Sequence, residues 1–252
     1  MQFKLPISHT RLQRTGDAKV VIIVVASIFA VMMLACAGVA VIFLIPAVGQ
    51  ARTAARRAHS QGNMTKIGLA LHNYHDTFGS FPPAYIPDED GKPMHSWRVL
   101  ILPFIEQSNL YEQYNFDEPW DSPNNRAIAQ RMPDIYRNPS SDDATMKQNV
   151  TTYQAVEGKN AGFDGSTSLK FRNFVDGTSN SVLVIENYDR PVLWTQPSDT
   201  SIQAFASGKP FNGSPTGGIN ALFGDASIHH IDQTTGSQQL KDMAIRNDGK
   251  PG

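Results

Sequence analysis

Any chemistry in this chain would have to come from its histidines and carboxylates. His72 and His75 stand three apart in HNYHD, so a helix places both imidazoles on one face. That spacing suits a metal ion, yet zinc takes three or four protein ligands and no third is fixed by the sequence. His229 and His230, with Asp232, offer one, but neighbouring strand residues point to opposite faces. His72 and His75 are therefore read as packing or hydrogen-bonding groups. Asp117, Glu118 and Asp121 gather enough oxygen for calcium, but their spacing is not that of an EF-hand and acidic turns are common. Ser96 has no visible base. GxSxG, HExxH, a Walker loop and GxGxxG in its strand context are all missing. The sequence assigns no catalytic, cofactor-binding or metal-ligating residue, and a protein without enzymatic activity is expected.

The elements that would position these residues start from Val20 to Ile45, a run without one charge. A bilayer's hydrocarbon core needs about 20 apolar residues in a helix, and this run exceeds that. It is apolar all round and keeps no face for water. A cleaved signal has a shorter apolar region, about 7–15 residues, followed by a small-residue cleavage site. Here Pro46 and a helical continuation follow, so a retained single-pass anchor is expected over residues 20–45. Residues 1–19 then form a cytoplasmic tail, with Lys4, Arg11, Arg14 and Lys19 facing Arg52, Arg56, Arg57 and Lys66 across the span. The basic count is nearly balanced, so the short tail and long downstream domain decide the orientation: N-terminus inside, domain outside the cytoplasmic (inner) membrane. The formal net charge of -1 argues against nucleic acid as a partner. Cys36 is the only cysteine and lies within the apolar run, so no intrachain disulfide exists.

After Pro46, which should kink the helix, residues 46–78 read as its amphipathic continuation. Ala47, Ala51, Ala54 and Ala58 make a small stripe, and Met64, Ile67, Leu71, Tyr74 and Phe78 a large one. The large stripe is expected to be buried. Gly62 and Gly68 point to a bend or close packing, and Gly79 with Pro82-Pro83 ends the helix. Residues 79–252 form one extracytoplasmic α+β domain. Trp97 to Tyr114 is apolar enough for core, with Pro103 early in a helix. Asn124 to Met132 reads as a helix capped by asparagine. Strands are expected at 151–157, 168–174, 181–187, 192–195, 219–223 and 227–231. The last two form a hairpin about Gly224-Asp225-Ala226, and 239–246 closes the chain as a helix. The sum is an antiparallel sheet packed on the amphipathic half of the long helix.

Several stretches resemble one bacterial family. They are LIPAVGQARTAARR, NMTKIGLALHNYHDTFGSFPPA, SWRVLILPFIEQSNLYEQY, DEPWDSPNN, FVDGTSNSVLVIEN and GGINALFGDASIHHI. In the same order, from about Leu44 to Asn247, these are similar to the family with a prepilin-like N-terminus catalogued as domain of unknown function 1559. The resemblance implies a pilin-like fold, related to type II secretion pseudopilins, with a long N-terminal helix laid on an antiparallel sheet. It implies no enzymatic activity. The chain departs from the family in three places. Gly16 is followed by DAKVV instead of a phenylalanine-led segment with glutamate fifth. Ser60 and Asn138 stand where members often carry cysteines. Asp225-Ala226 replaces an Asp-Gly turn, and Ser214 stands where histidine is usual.

The function expected is that of a single-pass, membrane-anchored, pilin- or pseudopilin-like envelope protein with a structural or interaction role. Its partners would be the lipid bilayer and other pilin-like subunits or envelope components. One alternative is a calcium- or glycan-binding surface module using the acidic loop, Trp120 and Trp194. Another is a membrane-tethered hydrolase.

Overall fold

A computed structural model describes residues 15–141 and 148–249, and the backbone alone of residues 15–18 and 36–47. The expectations for the tail residues Lys4, Arg11 and Arg14 lie outside the described residues, as do those for the side chains of Gly16, Cys36, Pro46 and Ala47. Two compact units divide the chain, one ending at Arg52 and one beginning at Thr53. Helix α1 spans Thr15–Phe78 and is assigned without a break at Pro46.

In the first unit, the large apolar side chains from Val20 to Leu34 are all at least half exposed, from 50 % at Val24 to 73 % at Leu34. Ser27 hides its hydroxyl by donating to the Ile23 carbonyl at 2.8 Å, the helical neighbour one turn back. Among the described residues no helix is long and apolar enough to cross a membrane. Of the expected span, side chains are described only to Ala35.

The second unit is built on a five-stranded sheet, in the order β7 (Thr200–Ser201), β4 (Tyr153–Glu157), β5 (Val182–Glu186), β8 (Gly218–Phe223), β9 (Ile228–Asp232). β4, β5, β8 and β9 are antiparallel neighbours, and β8–β9 is the expected hairpin. The sheet is mixed, because the short edge strand β7 runs parallel to β4. β1 (Tyr85–Pro87) pairs with β2 (Pro93–Ser96), and β3 (Val150–Thr151) with β6 (Val192–Leu193), as separate ribbons.

Both faces of the sheet are covered, so its central strands read as nearly continuous apolar runs. One face carries α1 through Met64, Ile67, Ala70 and Leu71, packed with Tyr153, Val184, Leu222 and the aromatics Trp97, Tyr136 and Trp194. The other face carries Ile219, Ile185 and Val156 against Phe205, Phe211 and Leu240. A register irregularity between Val182 and Val184 lets Leu183 and Val184, neighbours in sequence, both serve the α1 face. Gly68 lets α1 approach closely: a Cβ there would lie 2.8 Å from Leu222 Cδ1 and 3.3 Å from Ala226 Cβ.

Three local expectations are corrected. Phe78 is 60 % exposed and Tyr74 only half-buried, because Gly79 turns the chain at φ 74° and Phe81 enters the core instead. Residues 168–174 are not a strand. Asn173 Oδ1 accepts from the Lys170 amide at 2.7 Å and winds Phe171–Asn173 into a 3-10 turn. The helix Pro123–Ala129 is capped by Ser122, whose hydroxyl accepts from Asn125 N at 3.1 Å, not by asparagine.

Candidate functional site

The chemistry-bearing residues named first do not converge. His72 Nε2 lies 3.0 Å from the Gly224 carbonyl, and its ring meets Phe81 and Phe171 at 5.6 and 5.5 Å. The His75 ring lies tilted at 4.1 Å from Phe171 and 5.0 Å from Phe81, and neither of its ring nitrogens has a hydrogen-bond partner. His229 and His230 do point to opposite faces, with His229 at 5.0 Å from Phe223. Among the described residues no three His, Cys, Asp or Glu side chains come close enough to hold one metal ion. In the acidic loop, Asn124 Nδ2 donates to both Glu118 oxygens at 2.9 and 3.1 Å, while Asp117 and Asp121 are exposed. Buried Asn125 shapes that loop by donating to the carbonyls of Asn115, Glu118 and Pro119. Ser96 caps the helix Trp97–Leu100, accepting from Arg98 N at 3.3 Å and Arg98 Nη1 at 2.9 Å. Trp194 is fully buried, with Nε1 donating to Ala129 O at 2.8 Å, so it presents no face to a sugar.

Two buried polar clusters carry the charge that the sequence reading passed over. The first is centred on Glu186, at the end of β5 and 2 % exposed. Ser60 of α1 donates to its Oε1, Asn138 Nδ2 reaches the same oxygen at 3.0 Å, and Asn220 N donates to Oε2 at 2.7 Å. With the Ser60 proton so engaged, Tyr153 supplies the hydrogen in its 2.8 Å bond to Ser60 Oγ. Asn138 Nδ2 also reaches Thr152 Oγ1 at 2.9 Å and Tyr188 Oη at 3.1 Å. Burial pushes the Glu186 carboxyl above the usual range, against hydrogen bonds from Asn220, Ser60 and Asn138 that pull it back. The cluster pins α1, the segment at Asn138 and the centre of the sheet to one side chain.

The second cluster is the ion pair Arg98–Asp199, both side chains almost wholly buried. Arg98 Nη2 meets Asp199 Oδ1 at 2.5 Å, and Nε donates to Tyr153 O at 3.0 Å. Asp199 Oδ1 also accepts from Ala155 N at 2.7 Å and Trp97 Nε1 at 3.2 Å. These contacts offset part of the desolvation of the two charges, and burial still holds the Asp199 carboxyl above its ordinary value. Beside it, burial raises the half-buried Glu157 carboxyl to about 7, helped by Asp199 and Asp164 and opposed by Arg98. One signal of these clusters was visible. Period two puts Glu186 on the same sheet face as Val184, which the apolar run already places inside.

An open cleft of about 450 Å³ lies beside α1, bordered by Lys66, Leu69, Phe104, Ile105 and Ile135. Leu69, 59 % exposed, is its most accessible apolar wall.

Together these features define an α+β domain in which a long helix is clamped to one face of a mixed sheet by buried polar clusters, with no group of three His, Cys, Asp or Glu placed to hold a metal among the described residues. The chain belongs to the family described as protein of unknown function (DUF1559), whose model matches residues 49–215. That match takes in both polar clusters apart from Asn220 and stops short of the β8–β9 hairpin. No curated protein and no solved structure matches the chain.

Proposed function

We propose that this chain is a non-enzymatic, single-pass, membrane-anchored envelope protein of pilin-like build, with an assembly or binding role. The charge-free run Val20 to Ile45 is its anchor, and the domain lies outside the cytoplasmic membrane. One observation carries the reading. The apolar side chains from Val20 to Leu34 are exposed on every side of α1, at 50 to 73 %. Water penalises such a surface at about 25 cal/mol per Å², whereas lipid surrounds a helix evenly. The partners that suit it are the bilayer and other pilin-like subunits or envelope components. No reacting group enters the mechanism: the helix holds, and the clamped domain presents its surface.

Protease added to intact spheroplasts is expected to degrade the domain from Thr53 onward while leaving cytoplasmic proteins whole. Protection in intact cells, with digestion only after lysis, would reverse the proposed orientation.

A further inference from the structure

β8 and the last turns of α1 run side by side in the same direction. His72 meets Gly224, Gly68 lies against Leu222, and Gln61 Nε2 donates to Asn220 Oδ1 at 3.3 Å. One turn before Gln61 comes Arg57, on the same helix face. Asn220 pairs directly with His230, so both side chains leave the sheet toward α1. The His230 imidazole lies over Gly218, where a Cβ would stand 2.5 Å from Nε2. Arg57 and His230 thus meet at the open end of the hairpin.

Arg57 Nε and His230 Nδ1 are both closed off from solvent, and neither has a hydrogen-bond partner. Both residues as wholes are only half-buried; His230 also borders an open cleft of about 400 Å³ shared with Phe223, His229 and Met243, which Arg57 does not line. The titratable and charged groups around the imidazole are Arg57 from α1, with Asp232 and His229 from β9; the facing residues of β8, Gly218 and Asn220, carry none. Asp232 pulls the imidazole toward its protonated form, while its Oδ1 is also held by Thr234 N at 2.8 Å and Thr234 Oγ1 at 2.6 Å. Among the described residues no carboxylate forms an ion pair with Arg57. A fixed cation and an imidazole therefore adjoin, with Asp232 of β9 acting on the imidazole from the other side of the balance.

We propose that Arg57 and His230 form a binding site for a phosphate-type oxyanion. Such a group presents several acceptor oxygens, enough to take hydrogen bonds from a guanidinium and an imidazolium together. It would also cancel the repulsion between them. In the free chain burial, and then the Arg57 charge, hold His230 below its ordinary value, while Asp232 pulls the other way. A bound anion reverses the balance, so binding takes up a proton and strengthens as pH falls. The site stands apart from the membrane reading, because a lipid headgroup and a free phosphate share this chemistry.

The test is a titration of the full chain in detergent with inorganic phosphate, followed by calorimetry at about pH 6 and about pH 8. Saturable binding is expected, tighter at the lower pH. Arg57→Gln and His230→Gln should each weaken it by about tenfold or more, as lost charge-assisted hydrogen bonds do. Neither substitution removes a protein hydrogen bond of the orphaned nitrogens, so melting temperatures should hold; Arg57→Lys, which keeps the charge, reads the loss of the guanidinium fork alone. Arg56→Gln, an exposed neighbour, should leave binding unchanged. A response that chloride reproduces, or equal losses for Arg56→Gln and Arg57→Gln, would overturn the proposal. A second arm adds phosphatidylglycerol or phosphatidylcholine vesicles. Displacement of phosphate by the anionic lipid alone supports the site with a headgroup as its ligand, and retention of phosphate supports it with a free anion.

Discussion

Glu186 lies where an aliphatic side chain would pack, yet both of its oxygens are occupied, one by Ser60 and Asn138 and the other by the Asn220 amide. Ser60 and Asn138 are far apart in sequence and share a single oxygen atom. They are also the two positions at which the resemblance placed cysteines, and here both side chains meet on one Glu186 oxygen instead. The paired substitution Ser60→Cys with Asn138→Cys is expected to form a disulfide and to stabilise the domain by about 2–4 kcal/mol under oxidising conditions. Its melting temperature should fall on adding reductant, while that of the parent chain, with Cys36 alone, should not move. Glu157 provides a different residue-level test. Its carboxyl is raised from 4.5 to about 7, so between those values the folded chain binds more protons than the unfolded one. Stability from this group is full below about pH 4.5 and is lost as pH rises through 7. Glu157→Gln should therefore gain on the parent chain across that window, by about 1–2 kcal/mol after allowing for partial exposure. Urea denaturation at a series of pH values checks it, and parallel curves would contradict it.

At the scale of elements, the second half of α1 owes its place to Met64, Ile67 and Leu71, all wholly buried. Leu71→Ala is expected to cost about 2–5 kcal/mol, whereas Phe78→Ala, at an exposed helix end, should stay within about 0.5 kcal/mol. Equal losses on chemical denaturation would mean that the stripe continues into the core through Phe78. This stripe was legible because three- and four-residue spacings name a helix face directly. Where the face stops was not, because Gly79 redirects the chain and Phe81, outside the periodic run, takes the inner position. The hairpin about Gly224 was legible for a similar reason, two alternating runs flanking a turn. Residues 168–174 looked like a strand from SLKFRNF, but the Asn173 side chain satisfies a backbone donor locally and a turn results. The parallel pairing of β7 with β4 rests on two residue pairs, too short a stretch to leave a periodic signal. The Arg98–Asp199 pair was hidden for a third reason. Its members lie 101 residues apart in the sequence, and only the fold brings them together.

At the scale of the whole molecule, the chain joins a charge-free helical run to a domain whose charges are largely outside and whose few buried ones are paired or hydrogen-bonded. Within the domain His75 packs on Phe171 and His229 on Phe223, and the acidic loop is shaped by Asn124 and Asn125. The central claim is that Val20 to Ile45 anchors this domain in lipid. Sodium carbonate washing of membranes from cells expressing the full chain tests it most directly, since alkali strips proteins held by charge or by folded contacts but leaves a spanning helix in place. The chain is expected to remain in the membrane pellet and to be released only by detergent. Recovery of the intact chain in the carbonate supernatant would contradict the anchor, and the exposed face of α1 would then need a protein partner instead of a bilayer.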